Sequence, residues 1–448
     1  MAPLSGRAID GDPRASGSLD LIRHSAIAAY FAVRLASALV LLKLSAQFLT
    51  VQEFANFTQF LAFASLLNMA VVAGAQNGLI REAAAASDAE LADVQGAGLA
   101  IWLAAVPLVG VPVALLSPQF SHVLTGTRQY WAVVIGIAAL SLAAGPGQIS
   151  WSLLSGRKRV AESLGAQALG ILSGTAAAAW FIVHGSFVGA ALGFAAGPFL
   201  ATLTTVPLIL SLPLRWRPTT RGLGRLLGFS AAIGSTLGFS SIVLFGLRWT
   251  YREQFGSTEL GYWLAANRIS DMSTQFLGLF MLQAFVPQLA MTTDRRKRRR
   301  LVLGYGLIGS TLTGAALLVF AVAGRHLVHL FLSDAYLPAI PSIRLYMVGD
   351  FCRVWVSVAM FTAFAAGEPR RYAAIEICTM AMMAVLALLL MHNGEVLAPQ
   401  IAYVTAFAVT ALALGTAMIL YAAKRRLRPP APRVERRIPL PGIAPRLP

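Results

Sequence analysis

The chain has 448 residues, 57% of them hydrophobic and 12% charged, with a mean hydropathy of +0.68. That balance excludes a soluble globular protein, and apolar runs of about 20 residues, enough to cross a bilayer core, recur along the chain. A formal charge of +17 would point to nucleic acid in a soluble protein. Here membrane topology accounts for it, and no nucleic-acid partner is expected.

Residues 1–22 are polar and rich in Gly, Ser and Pro, and read as a disordered N-terminus. The first apolar run is too long for a signal-peptide core, so it reads as a retained helix. Twelve spans follow, near 25–49, 54–80, 97–117, 130–154, 163–184, 187–212, 228–250, 260–290, 301–325, 341–366, 372–392 and 396–421. The fold class is an all-α polytopic membrane protein. Between spans, "EAAAASDAELADVQG" at 82–96 reads as a short acidic surface helix. Pro146, Pro198 and Pro287 are expected to bend their helices. Small-xxx-small spacings at Gly170/Gly174, Gly189/Gly193/Gly197 and Gly234/Gly238 predict close helix packing.

Positive charge sorts the loops. One set carries Arg23, Arg81, Arg157-Lys158-Arg159, Arg215, Arg217, Arg221, Arg225, "RRKRRR" at 295–300, Arg370-Arg371 and "KRRLR" at 424–428. The opposite loops hold little beyond Arg128 and Arg252. The bias places both termini in the cytoplasm. The basic, Pro-rich tail at 424–448 reads as disordered. It serves as a topology anchor or touches anionic headgroups.

The stretch 214–225 separates six spans from six, giving an N-lobe at 23–213 and a C-lobe at 226–423. "HSAIAAYFAVRLASALVLLKL" at 24–44 aligns without a gap on "FSAAIGSTLGFSSIVLFGLRW" at 229–249, matching Lys43 to Arg248. Six is even, so both halves insert the same way up. That predicts two facing lobes related by an axis along the membrane normal, with a cavity between them.

Charges inside the spans carry the functional argument. A base at the bilayer centre costs about 2.5–3.5 kcal/mol on insertion scales. Lys43, Arg248, Arg325 and Arg344 lie near helix ends, where snorkelling accounts for them. Arg34, Arg268 and Arg353 lie deeper and need a partner or water. Arg268 and Asp271 in "NRISD", and Asp350 and Arg353 in "GDFCR", have i, i+3 spacing and so share a helix face. One reading is neutralisation within the helix. The other is a polar cavity wall in which Asp271 or Asp350 holds the base or exchanges protons with a coupling ion gradient. Glu376 lies near the cytoplasmic face, within reach of Arg370 or Arg371. No acid occurs in the first six spans, which favours an anionic substrate over a cation. Cys352 and Cys378 read as packing thiols. No nucleotide loop, clustered metal ligands or nucleophile elbow appears, so the sequence suggests a transporter without cofactor or metal, not an enzyme.

Three stretches resemble the Wzx-type flippases of the MOP (MATE-like) exporter superfamily, which move lipid-linked oligosaccharides such as O-antigen and enterobacterial common antigen units. They are "LTVQEFANFTQF" at 49–60, with Ala55 where Gly is usual, "LGYWLAANRISDM" at 260–272, and "GDFCRVWVSVAMFTAFAAGEP" at 349–369. The resemblance implies alternating access between two six-helix lobes in the bacterial inner membrane. It implies an undecaprenyl-diphosphate-linked oligosaccharide as substrate, moved from the cytoplasmic to the periplasmic leaflet in polysaccharide or lipopolysaccharide biosynthesis. Family cavities bind the diphosphate with bases on the opening and seventh helices; the matching positions are Arg34, Lys43 and Arg248. Arg268 and Arg353 would line the same cavity. Partners would be membrane lipids, a polysaccharide polymerase and glycosyltransferases. The residues agree, since a diphosphate suits clustered Arg and Lys. Two alternatives remain: a multidrug or cation antiporter of the same superfamily, and a non-transporting membrane scaffold for glycan-assembly enzymes.

Overall fold

A computed structural model describes residues 13–72, 75–211, 219–292 and 294–426. Among them the regular structure is helical throughout, with no strand. Ten helices are long and apolar enough to cross a membrane. The chain begins with α1 (Pro13–Phe48), α2 (Val51–Val71), α3 (Gln76–Ala85) and α4 (Asp88–Leu115). A short α5 (Ser117–Thr125) leads to α6 (Trp131–Ala143), α7 (Gly145–Gly156), α8 (Val160–Val183) and α9 (Phe187–Ser211). The second half holds α10 (Thr220–Phe280), α11 (Val286–Met291), α12 (Arg295–Phe331), α13 (Ile340–Ala365), α14 (Pro369–His392) and α15 (Ala398–Arg426).

Local chemistry fixes the boundaries. Thr50 and Glu53 form a reciprocal capping box that starts α2, and Ser87 and Glu90 form another that starts α4. The acidic stretch at 82–96 is therefore no separate helix: α3 ends inside it and α4 begins inside it. The expected fourth span is split, because Pro146 takes the first turn of α7, where its missing N–H is harmless. Pro287 likewise opens α11, just after a π-helical turn at Met281–Phe285. Pro198 sits inside the continuous α9. The N-terminal stretch expected to be irregular is already helical from Pro13.

The seventh and eighth spans are the two arms of α10. Gly256, at φ 87° and ψ 170°, breaks the helix in the left-handed region that side chains avoid. The chain reverses there. Arg248 bonds Asn267, and the Tyr251 ring meets Trp263 at 4.9 Å, pairs placed on either side of Gly256. Added to the ten candidate spans, these two arms give twelve long helical segments among the described residues.

The helices sort into two packing groups. In the first, α8 packs on α9 and α1, while α9 also meets α6, α7 and α2. In the second, α15 packs on α13 and α14, and α10 meets α13 and α14. The groups meet at both ends. At the end away from the termini, here called the far end, Leu42, Ala46, Phe54 and Ala55 join Leu247, Trp263, Leu332 and Tyr336 in one apolar core. Gly261 there lies directly on Val51. At the near end, the Asp93 carboxylate accepts from the Thr219 backbone N–H at 2.6 Å and its hydroxyl at 2.7 Å. Leu223 and Leu226 then pack with α3, α4 and α7.

The small-residue spacings divide. A Cβ on Gly197 would lie 2.3 Å from the Gly170 carbonyl oxygen and 2.9 Å from the Gly174 Cα, so the α8–α9 crossing is backbone on backbone. A Cβ on Gly238 would meet nothing within 4 Å, contrary to the expected close packing. Gly197→Ala is therefore expected to destabilise the protein by about 1–3 kcal/mol through overpacking. Gly238→Ala should stay within about 1 kcal/mol of wild type. Thermal unfolding of the purified protein in one detergent checks the contrast.

Candidate functional site

The deep charges converge where α10 and α13 face α2 and α15. At about 1.5 Å per residue, Asp350 lies about 15 Å along α13, and Arg268 about 18 Å from the Gly256 reversal. Both therefore lie about midway along their helical segments.

Asp350 is the anchor. It is 1% exposed, and its Oδ1 accepts from the Ser270 hydroxyl at 2.8 Å and the Tyr403 hydroxyl at 2.7 Å. Its Oδ2 has no partner. Arg353 donates from Nη1 to the Tyr403 oxygen at 3.2 Å and lies over the Phe407 ring, 5.3 Å from its centroid. The Asp350–Arg353 pair legible in "GDFCR" is thus not a direct contact. A tyrosine from α15 stands between the charges and hydrogen-bonds both.

The second pair behaves alike. Arg268 turns away from Asp271 and donates to the Thr58 carbonyl oxygen of α2 at 3.5 Å. Asp271 accepts instead from the Asn267 amide at 3.2 Å. That amide's oxygen accepts from Arg248 Nη2 at 2.9 Å, and Arg248 Nη1 donates to Gln59 of α2 at 3.3 Å. Arg248 is 6% exposed. It does not snorkel, as its distance from the helix end had suggested, but is sealed between the helix groups. Ser270, next to Asp271 in the chain, ties α10 to α13 through its bond to Asp350, so the two helices share one polar cluster. Beside it, Trp263 donates to the Tyr346 hydroxyl at 2.6 Å within the buried core.

The other expected site residues lie apart. Arg34 is exposed and reaches Gln275 at 3.2 Å, one turn beyond Asp271, so it stands at the cluster's edge. Lys43 does not join it. Its amine donates to the carbonyls of His329 and Leu332, both at 2.9 Å, capping the C-terminal end of α12. Arg344 is exposed and donates to the Ala321 carbonyl of α12 at 3.3 Å. Glu376 accepts weakly from the Ser240 hydroxyl at 3.5 Å. The described residues contain no group of metal ligands.

Sequence reasoning missed the neutral members: Tyr403, Ser270, Asn267 and Gln59. Tyr403 carries no local signal. Asn56 and Gln59, two carboxamides three residues apart in an apolar span, were a visible one. Arg252, read as a loop residue, is inside α10 and 5% exposed.

No protein-family model and no curated protein sequence matches the chain. Solved structures do match. The chain is similar to the lipid II flippase MurJ in its inward closed conformation, at 12% identity over 90% of this chain and 87% of that one, with a TM-score of 0.72. It is similar to an inward-facing multidrug resistance MATE family transporter of the MOP superfamily, at 15% identity over 91% and 99%, with a TM-score of 0.67. The outward-facing conformation of such a transporter gives 0.55, at 16% identity over 88% and 96%. The fold is therefore that of the MOP transporters, multi-pass and all-helical.

The bridge through Tyr403 is testable. Tyr403→Phe removes one of the two donors to a buried carboxylate and is expected to destabilise the protein by about 1–3 kcal/mol. Because Asp350 is the group left short, Tyr403→Phe combined with Asp350→Asn should cost less than the two changes summed. Denaturation of the four proteins in a double-mutant cycle measures this.

Proposed function

We propose that the protein is a MOP-type transporter that flips an anionic, polyprenyl-diphosphate-linked oligosaccharide across the bacterial inner membrane. The observation that carries the reading is the position of Arg248, Arg268 and Arg353. Arg248 and Arg268 bond α2 across the face between the two helix groups, Arg353 bonds the Tyr403 that also holds Asp350, and no described acid bonds any of the three directly. Arginine forks grip a diphosphate with two donors at once. Arg34, exposed at the near-end edge of the cluster, receives the headgroup first, and the polyprenyl tail stays in lipid. Lys43 supports the site only indirectly, through the α12 terminus it caps.

In this reading the termini are cytoplasmic, the two helix groups are the two lobes, and the far end faces the periplasm. The apolar seal at the far end then corresponds to an inward state, in keeping with the higher TM-scores against inward structures. Asp350, with one oxygen unpartnered, is the first candidate to carry a coupling proton or ion, and Asp271 the second. The sugar-assembling partners are glycosyltransferases and a polymerase acting on either side of the step. That same Asp350 oxygen also favours a second reading, a cation or drug antiporter, which needs a buried carboxylate free to bind its ion.

A deletion strain should lose the surface polysaccharide and accumulate lipid-linked units on the cytoplasmic side. Arg248→Ala and Arg34→Ala should each lower export about tenfold or more, the equivalent of about 1.4 kcal/mol per contact. Pulse-labelled glycan export measures both. Full complementation by both variants would remove the diphosphate site. Drug sensitivity with intact glycan would establish the antiporter instead.

A further inference from the structure

Two arginines one turn apart on α10 meet two carboxamides about one turn apart on α2. Arg248 donates to Gln59 at 3.3 Å, and Arg252 donates from Nη2 to Asn56 at 3.2 Å. Arg252 also donates from Nη1 to the Val123 carbonyl of α5 at 3.3 Å. The arginines are 6% and 5% exposed. Each retains an Nε–H without an acceptor, as does the Gln59 amide nitrogen. No carboxylate among the described residues bonds either guanidinium: Asp271 reaches Arg248 through Asn267, and Glu253, next to Arg252 in the chain, is exposed.

This is a poor bargain for a buried cation. It has lost hydration and gained only neutral acceptors, while one donor per side chain goes unused. A phosphate oxygen is the stronger acceptor, and the guanidinium fork matches it with two parallel donors. The amides therefore hold these arginines less firmly than an oxyanion would. The same bonds also fasten α10 to α2, that is, one helix group to the other. Arg252 lies about 6 Å beyond Arg248 toward the far end, one helical turn.

We propose that Arg252 with Asn56 is a second oxyanion-binding station, one turn beyond Arg248 with Gln59, and that both amides are stand-ins displaced by a diphosphate in transit. The inference rests on the proposed passage of an anionic headgroup. It adds that anion binding and far-end opening are one event, because taking the arginines from the amides unfastens the helix groups. Arg268 on the Thr58 carbonyl is a third and longer tie of the same kind.

Spin labels at Gln52→Cys and Thr258→Cys, both exposed at the far end on opposite groups, report the opening by double electron–electron resonance. The protein is held in nanodiscs, with Cys352 and Cys378 replaced by Ser, and the probe is inorganic pyrophosphate. The expected result is a short distance without the probe and a shift toward longer distances with it. Asn56→Ala should populate the long distance without any anion. Asn56→Asp, which gives Arg252 a charged partner, should hold the short distance, abolish the pyrophosphate response and stop export. If Asn56→Ala and Asn56→Asp both keep the wild-type distribution and response, the proposal is overturned whatever the substrate. If Asn56→Ala lengthens the distance and Asn56→Asp holds it short as expected, but pyrophosphate leaves the wild type unchanged, the amide lock stands. The oxyanion station then fails, while the diphosphate reading of the main site is decided separately by glycan export in the Arg248→Ala and Arg34→Ala variants.

Discussion

A guanidinium cannot be left bare inside a bilayer, and that constraint organises this molecule. The span interiors offer Arg248, Arg268 and Arg353 few carboxylates. Each must find an acceptor on another helix, because its own backbone carbonyls are committed to helical bonds. The acceptors are Gln59, the Thr58 carbonyl, Asn267 and Tyr403. Three of those bonds join elements far apart in the chain. The charges therefore hold the helices in register as well as decorating the site. The apolar core at the far end then closes around a polar arrangement that packing alone would not orient.

The same constraint explains why neither sequence-neighbour ion pair closes on itself. A direct bond within one helix would neutralise the charges and leave nothing to hold the neighbouring helices. With Tyr403 between Asp350 and Arg353, the polar link extends to α15. With Asn267 between Arg248 and Asp271, it spans the two arms of α10. Buried polar networks reward complete satisfaction and penalise gaps. The gaps here are few and local: Asp350 Oδ2, Arg248 Nε, Arg252 Nε and the Gln59 amide nitrogen among them.

Much of this was legible from residues. Span lengths outlined the all-helical, multi-pass architecture, because hydropathy reports directly on what a bilayer accepts. The i, i+3 spacing singled out Asp271 and Asp350, though neither bonds the base it was paired with. Three things were not legible. Lys43 looked like Arg248 by alignment, yet one caps a helix and the other is sealed between helix groups, since alignment fixes depth but not which neighbour is met. Arg252 looked like a loop base because its arm of α10 ends only four residues later, at Gly256. Tyr403 lies 50 residues from Arg353, and nothing local marks a tyrosine as a bridge rather than a core ring.

Gly256 carries a mechanical consequence. It has a left-handed φ and open space around its missing side chain, so torsion there meets little resistance. The two arms of α10 are joined through that one residue, like the legs of a pair of tongs hinged at the far face. Arg248 sits on one leg and Asn267 on the other, a short way from the pivot. A small spread at their level becomes a larger one at the near end, where the legs are long. The leverage runs toward the end at which Thr219 and Asp93 fasten the two groups.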